Sequence, residues 1–577
     1  MRLRPVALAV LLVLITTWPI LTRIGHAVPG EKFTSAYGVY RNALLHPPWT
    51  WLDIPFELAN FPEGGRGVLV AIPQFLLAGG LAPLLGETAA INVSLLIHLV
   101  AGVLAAGALA RRVAPEAGEV AAAFAGVVLG VGSFALGTWA TGQPENVGVV
   151  YVLLAVERGL AWLGGGRRGA ALTCLGTVGL AFLSSPYLVM GPLLAAPIVA
   201  FIAWDRYGAR RVAALLAGVA LVTVTVASPY RRALGAREEG QVLCPASLSR
   251  EVPERSGFDL SRSDWAELLT PPPFPDPNVA DPVTLLLPVN LSGVKQEVSI
   301  VYLGIVPLML AAWALVRAPW RVAWLWSAAM LPLVLSLGPR LRLGGWVLLD
   351  GGEDLWLPLA WLQDVPGLGS IFQTIQMPAR LALGVALPLG MAAVIGLGLL
   401  PRRLAVGIVG LALAEGLLVA PARPPAALFP VVPPDAYLWL AGQPDHDAVL
   451  DAPPLGFTRS PPFPAPITWT RSLFGRAAFH HHPVPYTGCF PPLFNARILA
   501  SDLTAALERV VAGEVEVPLG PGGAALRSLG VGWIVWHPHA GVAPEEVEAR
   551  VETALTAAFP RVFQGDDGSA VYRLPDP

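Results

Sequence analysis

The chain has 577 residues, a formal net charge of -2, and 54% hydrophobic against 14% charged residues. Soluble domains carry about 25% charged residues, so with a mean hydropathy of +0.60 much of this surface is built to stay out of water. The near-neutral charge argues against a nucleic-acid partner, and three cysteines are too few for a disulfide framework. Cys174 falls in an apolar segment. Cys244 and Cys489 fall outside such segments, where two unpaired thiols are the plainer reading and a pair needs an oxidising compartment.

Met1-Arg2-Leu3-Arg4 and the apolar run to Ile20 have the form of a signal peptide, but Ile24-Gly25-His26-Ala27 is a poor cleavage site. The segment reads as an uncleaved first helix. Spanning ~30 Å of hydrocarbon takes roughly 17–25 residues at 1.5 Å each. About eleven runs approach that length: residues 6–24, 91–110, 120–136, 149–163, 170–183, 187–202, 212–227, 300–316, 322–337, 381–400 and 404–420. A further run, 68–85, is broken by Pro73, Gly79, Gly80 and Pro83, and reads as a juxtamembrane or re-entrant segment.

Arginine placement supports that choice. With 68–85 not crossing, one side receives Arg2/Arg4, Arg111/Arg112, Arg167/Arg168, Arg206/Arg210/Arg211, Arg317/Arg321 and Arg402/Arg403. The positive-inside rule makes that side the cytoplasm. Arg231/Arg232 and Arg340/Arg342 fall opposite, in longer loops. The outer side then holds 25–67, 228–299, the loop 338–380 and everything after Ala420. Within the loop, 355–362 reads as an interfacial helix with Trp356 and Trp361 at headgroup depth.

After Ala420 the pattern changes. Residues 447–450, 530–536 and 569–574 read as strands, and 501–511 and 544–558 as amphipathic helices. The expected architecture is an all-α polytopic membrane domain (1–420) followed by a soluble, extracytoplasmic α/β domain (421–577).

No P-loop, dinucleotide fingerprint, G-x-S-x-G or H-E-x-x-H occurs. His480-His481-His482 invites a metal reading, but neighbours on an extended chain point to opposite sides, so two at most would share an ion. An exposed polar loop is the plainer expectation. The outer segments carry better candidates. Glu31, Asp53, Glu57 and Glu63 are carboxylates near the membrane plane. The turn Thr141-Gly142-Gln143-Pro144-Glu145-Asn146 is a polar knot between apolar spans, and Ser184-Ser185-Pro186-Tyr187 supplies hydroxyls at a comparable depth. Arg380 begins a span on the outer side, against the usual charge preference. A phosphate partner is one reason for it, since guanidinium binds phosphate bidentately. Lipid headgroups or Asp364 are the alternatives.

The order of these segments resembles the bacterial GT-C glycosyltransferase superfamily, close to its YfhO-like group. The resemblance rests on Pro29-Gly30-Glu31, Phe61-Pro62-Glu63-Gly64, the polar turn ending at Asn146, Ser185-Pro186-Tyr187, Pro229-Tyr230, Tyr302-Leu303-Gly304, Ser336-Leu337-Gly338-Pro339, Met377-Pro378-Ala379-Arg380 and Leu529-Gly530-Val531. It implies a transferase in the cytoplasmic membrane. A sugar moves from a polyprenyl-phosphate donor to a cell-envelope glycan, lipid or protein acceptor on the outer face. By position Glu31 corresponds to the general base or to a ligand of a divalent metal ion, with Asp53 as the second candidate base. Gln143, Glu145, Tyr187 and Arg380 are the expected substrate-binding residues. This chain departs from the family in having Glu rather than Asp at Glu31, and Gln143 where His is frequent. The alternative is a catalytically inactive scaffold or a carrier for lipid-linked glycans. A carrier places ionisable groups near mid-membrane, and here only Glu415 and His98 stand out.

Overall fold

The computed structural model describes the chain apart from residues 1–2, 31–32, 53, 56–65, 68, 141, 236–256, 260–281, 283–301, 344–345, 351–352, 367–368, 370–371, 373–377, 419–427, 432, 453–478, 486–500, 512, 515–516, 539–544 and 577. Glu31, Asp53, Glu57, Glu63, Cys244 and Cys489 therefore lie outside the described residues. The chain divides into two compact units. One comprises Met1–Gly30, Val70–Ser228 and Ala246–Leu428; the other comprises Glu31–Leu69, Pro229–Pro245 and Phe429–Pro577.

In chain order the helices are α1 (Leu3–Leu21), α2 (Phe33–Leu44), α3 (Ile72–Leu85), α4 (Glu87–Val113), α5 (Gly118–Ala125), α6 (Ser133–Ala140), α7 (Val149–Leu163), α8 (Arg168–Ser184), α9 (Pro186–Tyr207), α10 (Ala209–Gly235), α11 (Ile305–Arg317), α12 (Pro319–Ser336), α13 (Pro358–Asp364), α14 (Leu383–Gly398) and α15 (Arg402–Leu418). Every expected span contains helix. Seven helical segments among the described residues are long and apolar enough to cross a membrane, and others are shorter apolar helices. This is a multi-pass membrane protein. Exposed Leu8, Leu11, Leu172, Phe201, Leu221, Val224 and Leu411 suit hydrocarbon surroundings.

One expected span is not a continuous α-helix. Between α5 and α6 the chain makes a π turn, Gly126–Gly130, then breaks at Val131 and Gly132. The cause is close packing on α4. A Cβ at Gly130 would stand 2.8 Å from the Val103 nitrogen, and one at Gly126 would stand 2.9 Å from Val103 Cγ1. Glycines let the two backbones touch, and the strained ladder takes up the misfit as a π turn.

The broken run becomes α3, a 14-residue apolar helix packed on α4. Ala71 N donates to Ser184 O at the end of α8 (2.8 Å), and Ser94 Oγ of α4 donates to Gln74 O (2.8 Å). The chain reverses at Gly86, φ +79°, directly into α4. Both ends of α3 thus lie at the same end of the bundle.

The arginines gather at the other end. Arg112 bonds Glu157 (2.7 Å), Arg321 bonds Glu116 (2.7 Å), and Arg111 approaches Glu119 (3.4 Å). Arg211 donates to Leu163 O (3.2 Å), and Leu163, Ala203 and Val212 share one apolar cluster with Tyr207. A Cβ on Gly398 would touch Ala117 and Glu116. These contacts bring together the C-terminal ends of α4, α7, α9 and α14 and the N-terminal ends of α10 and α12. Arg111, Arg112, Arg211 and Arg321, which the sequence reading put on one side, thus share one end of the bundle.

The loop after α12 forms a small sheet in which β1 (Gly257–Asp259) pairs in parallel with β3 (Trp346–Asp350), flanked by β2 (Arg342–Leu343) and β4 (Glu353–Asp354). Arg340 pairs with Asp354 (2.8 Å) and lies 4.9 Å from the Trp356 ring centroid. The expected interfacial helix begins at Pro358 rather than 355, with Trp361 exposed.

The second unit contains α2 together with a four-stranded sheet, β7-β8-β6-β5 in spatial order, from β5 (Ala448–Ala452), β6 (Val531–Trp536), β7 (Arg561–Gln564) and β8 (Ala570–Arg573). β5 and β6 are parallel and the other pairs antiparallel. Helices α16 (Asp435–Leu440), α17 (Asp502–Val511), α18 (Gly520–Ser528) and α19 (Glu545–Ala558) complete it. Leu450, Ile534, Tyr572, Leu503, Leu526 and Leu555 form one core. The α/β tail is thus present, with α16, α18 and β7 beyond the expected elements.

Candidate functional site

Four of the residues singled out in the sequence meet at the end of the bundle opposite the arginines. A 3-10 turn, Pro144–Gly148, leads into α7; a second, Pro378–Ala382, leads into α14; and Pro186 opens α9. Each turn places polar side chains at the head of an apolar helix. Proline begins all three, because a first-turn residue needs no donated hydrogen bond.

The centre is Arg380. Its Nη2 lies 3.2 Å from Glu145 Oε1 and donates to Gln143 Oε1 at 3.3 Å. Its guanidinium carbon stands 5.2 Å from the centroid of the Tyr187 ring. Gln143 Oε1 also accepts from Asn146 Nδ2 at 3.1 Å. The Arg380 and Glu145 side chains are 11% and 12% exposed. A pair this shielded keeps most of its attraction, and breaking it leaves a charge stranded. Arginine at a helix start is therefore explained by an internal carboxylate.

Below this pair runs a second polar layer. Ser184 Oγ donates to Gln74 Oε1 (3.2 Å), and a Cβ on Gly148 would stand 3.0 Å from Gln74 Nε2. His98 follows: Nδ1 lies 2.7 Å from Ser94 O and Nε2 lies 2.8 Å from Tyr151 Oη. A carbonyl accepts only from N–H, so Nδ1 carries a proton. Both ring nitrogens of His98 therefore have partners inside the bundle. Three buried atoms of the site, Arg380 Nε, Ser185 Oγ and Asn146 Oδ1, have no hydrogen-bond partner among the described residues. Buried polar atoms are normally paired.

Gln74 was hidden in a run that reads as purely apolar. Glu31 and Asp53 lie outside the described residues, so the base and metal-ligand candidates are not placed. Among the described residues no group of three His, Cys, Asp or Glu stands ready to hold a metal ion.

The histidine run departs from expectation. His480 and His482 are buried, not an exposed loop, while only His481 points out. His480 packs edge-on against Tyr437 and its Nδ1 accepts from His482 N (3.0 Å). His482 faces the carbonyls of Asp447 and Leu440. The run is not the expected extended chain: Phe479 and His480 are helical and His481 turns through φ 60°, which points His481 outward and leaves its two neighbours in a protein core. Glu415 is placed equally firmly. It accepts from Tyr302 Oη, from Ile305 N (2.6 Å) and from Val306 N (3.1 Å), and so caps the N-terminus of α11.

An apolar helical bundle with a polar cluster at one end, and a separate small α/β unit, make up the fold class expected from the sequence. No protein-family model matches the sequence, and no curated protein matches it. Among solved structures, the apo oligosaccharyltransferase of Archaeoglobus fulgidus superposes with a TM-score of 0.51 at 11% identity, over 99% of this chain and 74% of that one. Apo ArnT from Cupriavidus metallidurans gives 0.44 at 13% identity, over 99% and 97%. The fold assignment rests on the first of these.

Proposed function

We propose that this chain is a membrane glycosyltransferase of the YfhO-like kind. It moves a sugar from a polyprenyl-phosphate donor to an envelope acceptor on the outer face of a bacterial cytoplasmic membrane. The observation that carries this reading is the meeting of Gln143, Glu145, Tyr187 and Arg380 at the bundle end opposite the arginine cluster. That fold and that cluster supply what the reaction needs: a cation for the departing phosphate and polar groups to orient two lipid-borne reactants. The acceptor oxygen forms a bond to the anomeric carbon, the bond from that carbon to the phosphate oxygen breaks, and polyprenyl phosphate leaves. Glu31, with Asp53 as second candidate, takes the acceptor proton. Glu31 is also the residue that would hold a divalent ion, and no step of this scheme passes through one. Arg380 holds the phosphate, and Gln143, Glu145 and Tyr187 orient the substrates.

The capped state of Glu415 and the bonding of both His98 ring nitrogens favour surface chemistry over carriage through the membrane. The test is transfer of labelled sugar from a polyprenyl-phosphate donor by the full chain in nanodiscs, using an envelope extract as acceptor. Glu31→Gln removes the proton acceptor with little change of shape and should abolish transfer. Transfer at full rate would sink the assignment of Glu31.

A further inference from the structure

The Arg380 guanidinium already has an anion. Glu145 Oε1 stands 3.2 Å from Nη2, and the same nitrogen is shared with Gln143 Oε1 at 3.3 Å. Nε is buried without a partner among the described residues, and so is the hydroxyl of Ser185. Ser185 itself is 1% exposed and sits two residues from Tyr187, whose ring faces the guanidinium. An arginine matched to its final partner forms two parallel N–H···O bonds. The contact to Glu145 is a single one, through one nitrogen.

We propose that Glu145 is an internal stand-in for phosphate. The phosphate ester of a lipid headgroup displaces its carboxylate from Arg380, so the free protein competes with its own ligand. The proposal rests on reading this cluster as the phosphate-binding end of a transferase. A phosphate has three oxygens where a carboxylate has two. It can use Nη2 and Nε together and still accept from the Ser185 hydroxyl. Exchange of one anion for another keeps the guanidinium compensated throughout, whereas loss of Glu145 alone would strand it. Arg380 Nε, and the Ser185 hydroxyl two residues before Tyr187, are then the unfilled part of the ligand's shell.

The test is binding to the full chain in nanodiscs, with farnesyl phosphate and inorganic phosphate as separate probes. Glu145→Gln keeps the shape and removes the competing charge, and should tighten farnesyl phosphate roughly tenfold. Glu145→Asp, read as well in case the glutamine variant does not fold, should give a smaller gain in the same direction. Tightening confined to farnesyl phosphate assigns the ligand as a lipid headgroup; a gain for inorganic phosphate too shows recognition of the phosphate alone, and either supports the stand-in. Unchanged or weaker binding of both probes overturns it. Arg380→Gln separates this from the underlying reading. If that variant binds farnesyl phosphate as well as the wild type, the phosphate site itself is wrong.

Discussion

Gly191 and Gly384 touch backbone to backbone where α9 crosses α14. A Cβ on Gly191 would stand 2.9 Å from Leu381 O and 3.0 Å from Gly384 N, and one on Gly384 would run into Gly191 O and stand 2.8 Å from Pro332 Cβ. Four residues earlier come Tyr187, on α9, and Arg380, in the 3-10 turn that leads into α14. The crossing therefore sets the distance between the two side chains. Small residues at helix crossings do this in membranes, where packing rather than water drives association. Gly384→Ala should part the helices and cost about 1–3 kcal/mol, the usual penalty for overpacking. Thermal unfolding in detergent measures that, and phosphate binding should fall with it. A variant as stable as wild type would mean that the crossing tolerates a methyl group and does not position the site.

The carboxylate of Glu415 is a cap, not a relay. It takes two backbone donors of α11 and the Tyr302 hydroxyl. Gly304, φ +88°, shapes the turn that presents those donors. Glu415→Ala leaves them without their acceptor. Hydrogen bonds to charged groups are worth about 1.5–3 kcal/mol each, so the variant should unfold at a clearly lower temperature. Tyr302→Phe should cost less, because it removes one of three bonds. Proton or glycan flux in liposomes should be absent in both wild type and variant. Flux in the wild type that Glu415→Ala abolishes would restore the carrier reading.

His480 gives the second unit a pH dependence with a definite sign. Burial pushes its pKa down to about 3; Asp451 opposes the fall, while His482, His481 and His537 add to it. The unfolded value is about 6.5. Between those values the unfolded chain binds the proton and the folded chain does not. Stability from this group is therefore unaffected above pH 6.5 and declines as pH drops toward 3. Hydrogen exchange of the β5 and β6 amides, corrected for intrinsic rate, should show less protection at pH 4.5 than at 7. His480→Phe should flatten that difference. An equal pH dependence in the variant would assign it to another group.

The parts of this protein that follow from residue order alone were legible. Apolar run length gave the spans, the arginines gave the bundle's two ends, and one misplaced arginine pointed to its cluster. The missed features depend on contacts between distant segments. Gly520-Pro521-Gly522-Gly523 carries no helix signal, yet it starts α18, where a Cβ at Gly522 would stand 2.6 Å from Leu503 Cα and one at Gly523 2.7 Å from Phe559 Cζ. Those glycines allow close helix packing, a demand invisible to local propensity. The burial of His480 was likewise hidden, since a His run is polar by composition and only Tyr437 and the sheet make it core.

The grouping of Glu31–Leu69 with the tail was not legible either, and it leads to a test. Tyr37 on α2 stacks on Phe479 (6.1 Å between centroids, 25° between planes), and the Arg41 guanidinium sits 4.4 Å from the same ring centroid. Phe479 precedes the buried His480, so its ring is anchored from the tail side. Cation–π contacts are worth about 0.5–2 kcal/mol, enough to order a short helix such as α2, which at 12 residues is too short to persist alone. Phe479→Ala should raise hydrogen exchange in α2 by roughly tenfold while β5 and β6 stay protected. The helix begins two residues after Glu31, so transfer should weaken mainly in its maximal rate, with Phe479→Tyr retaining most of it. Unchanged exchange in α2 would show that it draws its order from other contacts.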